Sequence, residues 1–209
     1  MSWRGAILSS RGTISSASGY DPYEHDTLYT DSDGWRGGLV LLQADTAAAQ
    51  SRVEFTVSGN STIRGWTCTV TGSAQVTTGS ATPAPGLANG VQAATLTVPV
   101  ADFVCPQDEM REHLLEAMKP GEFPEIRFEL QSYEASGQNV TATGALTIHA
   151  TTQTVSFPIS LTPAGAGVRI AGEVPLDMTT YGVEPPEVML GLMVVRPRIR
   201  IEFSGVVLP

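Results

Sequence analysis

From Val140 to Leu161 apolar and polar residues alternate almost without a break. Val140, Ala142, Gly144, Leu146 and Ile148 share one face, and Thr141, Thr143, Thr147 and His149 the other. Val155, Phe157, Ile159 and Leu161 then oppose Thr154, Ser156 and Ser160. Successive side chains of an extended chain point to opposite faces, so a period of two with β-branched enrichment predicts a half-buried strand. The short polar Ala150-Thr151-Thr152-Gln153 between the two runs predicts a tight antiparallel hairpin. One face of that hairpin needs an apolar cover.

The same period recurs along the chain. Leu39 to Gln43 predicts a first short strand. Val53, Phe55 and Val57 alternate with Arg52, Glu54 and Thr56; Trp66, Cys68 and Val70 alternate with Thr67, Thr69 and Thr71. Leu96, Val98 and Val100 follow, then Ile126, Phe128 and Leu130, then Val168, Ile170 and Val174. Near the end Val195, Pro197, Ile199, Ile201 and Phe203 oppose Arg196, Arg198, Arg200 and Glu202. One helical stripe interrupts the strands. Asp108 to Met118 aligns Met110, Leu114 and Met118, with Leu115 beside them. Asp108 and Glu109 suit the positive end of its dipole, Lys119 the negative end, and Pro120-Gly121 stops it. Thr78 to Asn89 reads as an exposed, mobile loop. Pro175 to Met193 reads as a Met- and Pro-containing loop with a short helical turn.

Residues 1–38 are rich in Gly, Ser, Asp and Tyr and show no sustained period, which predicts a flexible N-terminal segment ahead of a single domain over 39–209. Strands with one apolar face close into a barrel or pack as a sandwich. Long strands in hairpin succession and a lone plugging helix favour an all-β fold: one antiparallel barrel of about eight strands with one short α-helix.

The 209 residues carry a net charge of −9, which excludes a phosphate backbone as partner, because nucleic-acid binding depends on clustered cations. No apolar run approaches the roughly 20 residues a bilayer crossing requires. The N-terminus shows only Ala6-Ile7-Leu8 between Arg4 and Arg11, short of the roughly 7–15 apolar residues of a secretory signal. A cytoplasmic protein and an exported one with its signal removed are both consistent with that.

Several stretches resemble the YceI-like family of lipid-binding, lipocalin-like barrels. Ser51-Arg52-Val53-Glu54-Phe55-Thr56-Val57 is similar to its early strand, and Ser61-Thr62-Ile63-Arg64-Gly65-Trp66 to its turn into the next. His113-Leu114-Leu115 with Phe123-Pro124-Glu125-Ile126-Arg127-Phe128 resembles its helix and following strand. Gly144-Ala145-Leu146-Thr147-Ile148, with Thr152 and Val155, resembles its hairpin, and Met178-Thr179-Thr180-Tyr181-Gly182-Val183 its late loop. The resemblance spans residues 39–209. It implies an apolar channel for a long isoprenoid or amide-type lipid, and a periplasmic or secreted location. It leaves transient membrane contact and a dimer open. The chain departs from the family in having Ser58-Gly59-Asn60 where a His is frequent, and in carrying two cysteines.

The candidate lining is Phe55, Trp66, Leu96, Phe128, Leu146, Phe157, Ile170 and Ile201, with Met178, Tyr181 and Met189 from the late segment. An inward aromatic looks the same in a cavity wall and in a packed core, so both readings stand. Small inward positions such as Ala142, Gly144 and Gly172 argue for a void, entered beside the Pro175–Met193 segment. The arginine row could meet an anionic headgroup, or pair with carboxylates of a neighbouring strand. Catalytic chemistry has little support. His25, His113 and His149 have no metal-ligand spacing, and no Gly-x-Ser-x-Gly elbow occurs. The expectation is a non-enzymatic protein with no metal and no cofactor beyond a bound lipid. Cys68, in a strand, and Cys105, just after another, are expected to form a disulfide, with two free thiols as the alternative in a reducing compartment. Two functions stay open: a carrier or store of a long apolar lipid, and a filled barrel acting through its surface as an interaction or stress-related module.

Overall fold

The computed structural model describes residues 51–137, 139–188 and 192–209. The predicted N-terminal segment, the Leu39–Gln43 strand and Met189 lie outside the described residues. Strands β1 (Ser51–Ser61), β2 (Gly65–Thr78) and β3 (Val91–Pro99) precede helix α1 (Asp108–Met118). Strands β4 (Glu125–Ser136), β5 (Asn139–Ile148), β6 (Thr151–Ala164) and β7 (Gly167–Asp177) follow. A two-residue β8 (Glu187–Val188) and the long β9 (Met193–Val207) end the chain. The sheet runs β1-β2-β3-β4-β5-β6-β7-β9, antiparallel throughout, and β1 pairs with β9 to close it. The result is the eight-stranded barrel that the alternation predicts, with β8 appended to the start of β9.

Each strand keeps its period of two in the barrel. Val53, Phe55 and Val57 of β1 are buried and Arg52 and Glu54 exposed; Val140, Ala142, Leu146 and Ile148 of β5 repeat the pattern. The β5–β6 connection is shorter than predicted. Thr151 already pairs with Ile148, which leaves His149 and Ala150 alone in the turn, at φ 52° and 59°. Positive φ at both central residues is the two-residue hairpin geometry whose twist matches the strands. The His149 ring packs on Phe123, with centroids 4.0 Å apart.

Phenylalanine rings fill one half of the interior. Phe55, Phe203, Phe157 and Phe128 form a chain with centroid separations of 6.2, 5.8 and 5.4 Å. Three of these rings lie over inward glycines. A Cβ on Gly144 would stand 2.5 Å from Phe128 Cζ, one on Gly172 2.5 Å from Phe203 Cζ, and one on Gly72 2.9 Å from Phe55 Cε2. The small inward positions are therefore seats for rings rather than void, which corrects the expectation of an empty interior at Gly144 and Gly172.

The 78–89 connection closes this half from below. Most of it is exposed, as expected, but Ala84 and Leu87 are tucked in, 8% and 5% exposed, and exchange backbone hydrogen bonds of 3.1 and 2.8 Å. The Tyr133 hydroxyl accepts from the Val91 N–H at 3.0 Å and donates to the Thr82 carbonyl, fixing the same segment to β4. Both ends of the described wall meet here, where the Leu208 N–H donates to Ser51 Oγ at 2.8 Å.

Because Gly144 has no room for a methyl group, Gly144→Ala should cost about 1–3 kcal/mol in urea denaturation. Gly121, with nothing within 4 Å of an added Cβ, should change by no more than about 0.5 kcal/mol on the same substitution.

Candidate functional site

Above the phenylalanines the barrel is hollow. A cavity of about 420 Å³ opens at the end where β1 turns into β2 and β9 begins. Its wall is built by Val57 of β1, Trp66 and Cys68 of β2, Ile126 of β4, Ile148 of β5, Leu176 of β7 and Ile199 and Ile201 of β9. Trp66 faces Gly59 across the β1–β2 pair, and a Cβ on Gly59 would stand 2.6 Å from the indole. A second void of about 70 Å³ lies among the phenylalanine rings. The packed half thus forms a floor.

Helix α1 covers the opening. Met110, Leu114, Ala117 and Met118 line the cavity, and no residue of the helix is fully buried. The amphipathic stripe predicted from the sequence thus packs against the edge of the core and borders the cavity. Lys119 ends the helix in a left-handed conformation, φ 47°, with its N–H on the Leu115 carbonyl. Arg111 ties α1 to the preceding segment, its Nε and Nη2 each donating at 2.8 Å to the carbonyls of Phe103 and Ala101. The polar lining is sparse, with Ser61, Gln107, Glu109 and His113 among it, and His113 Nε2 and Trp66 Nε1 are buried without a hydrogen-bond partner.

The segment facing α1 across the mouth is the predicted irregular one, though it holds more structure than expected. β7 runs on to Asp177, and Met178–Tyr181 makes a turn of 3-10 helix. Asp177 caps that turn, accepting from the Thr179 N–H at 3.1 Å and the Thr179 hydroxyl at 2.5 Å. Those two bonds hold its carboxyl below its ordinary pKa, with Arg198 a smaller influence in the same direction. Tyr181 is 2% exposed, and burial pushes its phenol above the ordinary value.

The predicted lining residues divide between the halves. Trp66, Met178 and Ile201 border the large cavity. Phe55, Leu96, Phe128, Leu146 and Phe157 border the small void in the floor, as Ile201 also does. Ile170 and Tyr181 are buried in the core and border neither. The helix side chains of the lining were absent from the candidate list, although their stripe was visible in the sequence. Two of the three outward arginines face β7 carboxylates. Arg200 Nε is 3.1 Å from Glu173 Oε1, and Arg198 stands opposite Asp177. Among the described residues no group of three or more His, Cys, Asp or Glu side chains is placed to hold a metal ion. No described helix is long and apolar enough to cross a membrane.

The YceI-like domain model matches residues 43–207. The chain belongs to the YceI-like family. Burkholderia cenocepacia BcnA is similar in structure, with a TM-score of 0.61 at 22% identity over 75% of this chain and 96% of that one. A polyisoprenoid binding domain from Saccharophagus degradans implicated in plant cell wall breakdown gives 0.54 at 11% identity, over 76% and 94%. The Campylobacter jejuni YCEI protein gives 0.50 at 14% identity, over 66% and 82%. At these identities the likeness is one of fold. No curated protein sequence matches the chain.

This YceI-like barrel carries the expected disulfide between Cys68 and Cys105, with Cα atoms 4.4 Å apart. Beside it Thr69 and Val104 exchange two backbone hydrogen bonds of 2.8 Å. The bridge fastens the segment that leads into α1 onto the wall, and it is compatible with a periplasmic or extracellular location.

Two outcomes follow for this end of the barrel. Replacing both cysteines by alanine should lower unfolding free energy by about 4 kcal/mol on the chain-entropy model, read from chemical denaturation. The Asp177 carboxylate, lowered in the folded state, supports stability above its unfolded pKa and loses that support as pH falls through the folded one. The difference in melting temperature between the wild type and Asp177→Ala should therefore shrink as pH falls through and below the ordinary aspartate value of about 3.9.

Proposed function

We propose that the protein binds a long apolar lipid, isoprenoid- or fatty-amide-like, with its hydrocarbon tail in the cavity beneath α1, as a carrier or store and not as an enzyme. The observation that carries this reading is the cavity itself: about 420 Å³, walled mainly by aliphatic, methionine and indole side chains with few polar ones. Its size lies within the roughly 300–1,000 Å³ typical of small-molecule sites. Each methylene moved from water into such a space contributes about 0.8 kcal/mol, so about ten of them contribute on the order of 8 kcal/mol before the costs of association. The phenylalanine floor sets the depth, and a head group is left at the rim near Gln107 and His113. The Saccharophagus degradans neighbour, a polyisoprenoid binding domain, is consistent with this ligand class. The disulfide supports a home in the periplasm or outside the cell.

Helix α1 is the element best able to admit a ligand. Among the described residues it gives no hydrogen bonds to the ladder of the wall, and it buries no side chain completely, the marks of a segment that opens at low cost. The strands cannot part without losing ladder hydrogen bonds.

Organic extraction of the purified full chain followed by mass spectrometry should recover a long-chain lipid in near-stoichiometric amount. Ala117→Trp, which enlarges a lid residue into the cavity, should weaken binding of a fluorescent fatty-acyl probe by tenfold or more, with the melting temperature shifted by only a few degrees. A protein that yields no lipid and binds no probe would refute the reading and return the barrel to a surface-acting module.

A further inference from the structure

The rim of the cavity carries two large apolar side chains in water. Ile63, at the tip of the β1–β2 turn, is 63% exposed, and Leu192, just before β9, is 75% exposed. Their two connections are fastened together. The Thr62 N–H donates to the Val194 carbonyl at 3.0 Å. The Thr62 hydroxyl donates to the Leu192 carbonyl and accepts from the Val194 N–H, both at 3.2 Å. The β1–β2 turn is therefore braced against Leu192 and Val194 and forms one prominence with them. Ile63 also lines the cavity, so apolar surface reaches from the inside of the barrel out to the rim. Arg64 follows Ile63 directly, and Arg196 projects outward from β9 nearby, with Glu187 the acidic side chain on the strand paired there.

We propose that this prominence docks the mouth of the barrel on a lipid surface, Ile63 and Leu192 entering the headgroup region. Two protruding side chains are far too little for a stable protein partner, which takes about 800 Å² from each side around a packed apolar centre. A lipid interface accepts them singly, since it moulds around each side chain and rewards apolar area without shape matching. Arginine flanking the tips suits anionic headgroups. Docked in this way, the cavity opens onto acyl chains, and a ligand passes between bilayer and barrel without crossing water. The inference concerns the outside of the rim, and is testable whether or not the cavity holds lipid.

The test is flotation of the delipidated full chain with phosphatidylglycerol and with phosphatidylcholine vesicles. The wild type should float with the anionic vesicles and more weakly with the neutral ones. The double variant Ile63→Ser with Leu192→Ser should lose on the order of tenfold or more in partitioning at an unchanged melting temperature. Leu208→Ser removes an exposed leucine at the opposite end of the barrel, and should float like the wild type. No flotation of the wild type, or equal flotation of the double variant, would overturn the proposal. So would a concentration-dependent dimer that the double variant abolishes in the absence of vesicle binding, which would assign the tips to a second copy of the chain.

Discussion

Everything in this barrel depends on where its aromatic rings come to rest. An eight-stranded barrel has an interior that side chains can just fill, so a hollow requires that filling be uneven. The unevenness is arranged by pairing glycine with phenylalanine on neighbouring strands. Gly144 leaves the space that the Phe128 ring occupies, and Gly172 does the same for Phe203. The four rings stand in edge and tilted contact and make a layer broken only by the small void of about 70 Å³. Rings of this kind gain from one another beyond the area they bury. The packed half supplies the stability from which the open half can be suspended.

The open half is held by different means. Its cover is a helix that buries no residue completely, fastened by the Arg111 guanidinium and by a covalent bond three residues ahead of its start. Such a cover need not be stable alone, because its tethers limit how far it can stray from the mouth. The apolar stripe of α1 then meets either a ligand or an unfilled space. A bound hydrocarbon would complete the packing that the chain leaves unfinished, which links occupancy to stability by mass action.

The wall was legible in the sequence because a period of two survives glycine, alanine and threonine substitutions as long as the inward positions avoid charge. The helix was legible because three apolar residues at helical spacing lie between an acidic first turn and Pro120-Gly121. The interior was not. Gly144 and Phe128 are far apart in the chain and become diagonal neighbours only through the β4–β5 register, so composition alone suggested emptiness where there is a ring. The hairpin turn was drawn too long because His149-Ala150 lacks the Asn-Gly signature of its geometry. The burial of Leu87 was not legible because the cover of a loop comes from distant strands, as at its neighbour Gly86, which lies against Val168 and Pro163. The lid residues were visible as a stripe, and their place in a cavity lining depends on the barrel that the strands close beneath them.

The two ends of the described wall come together at the closed end, where Leu208 is hydrogen bonded to Ser51. A domain of this kind, coupled to a solid support or a larger assembly through its C-terminus, is held by its base with the opening directed outward. The polarity of the molecule is thereby fixed by the path of its chain. An array built on that attachment would present a field of upright cups, all facing the same way, without any need to engineer orientation.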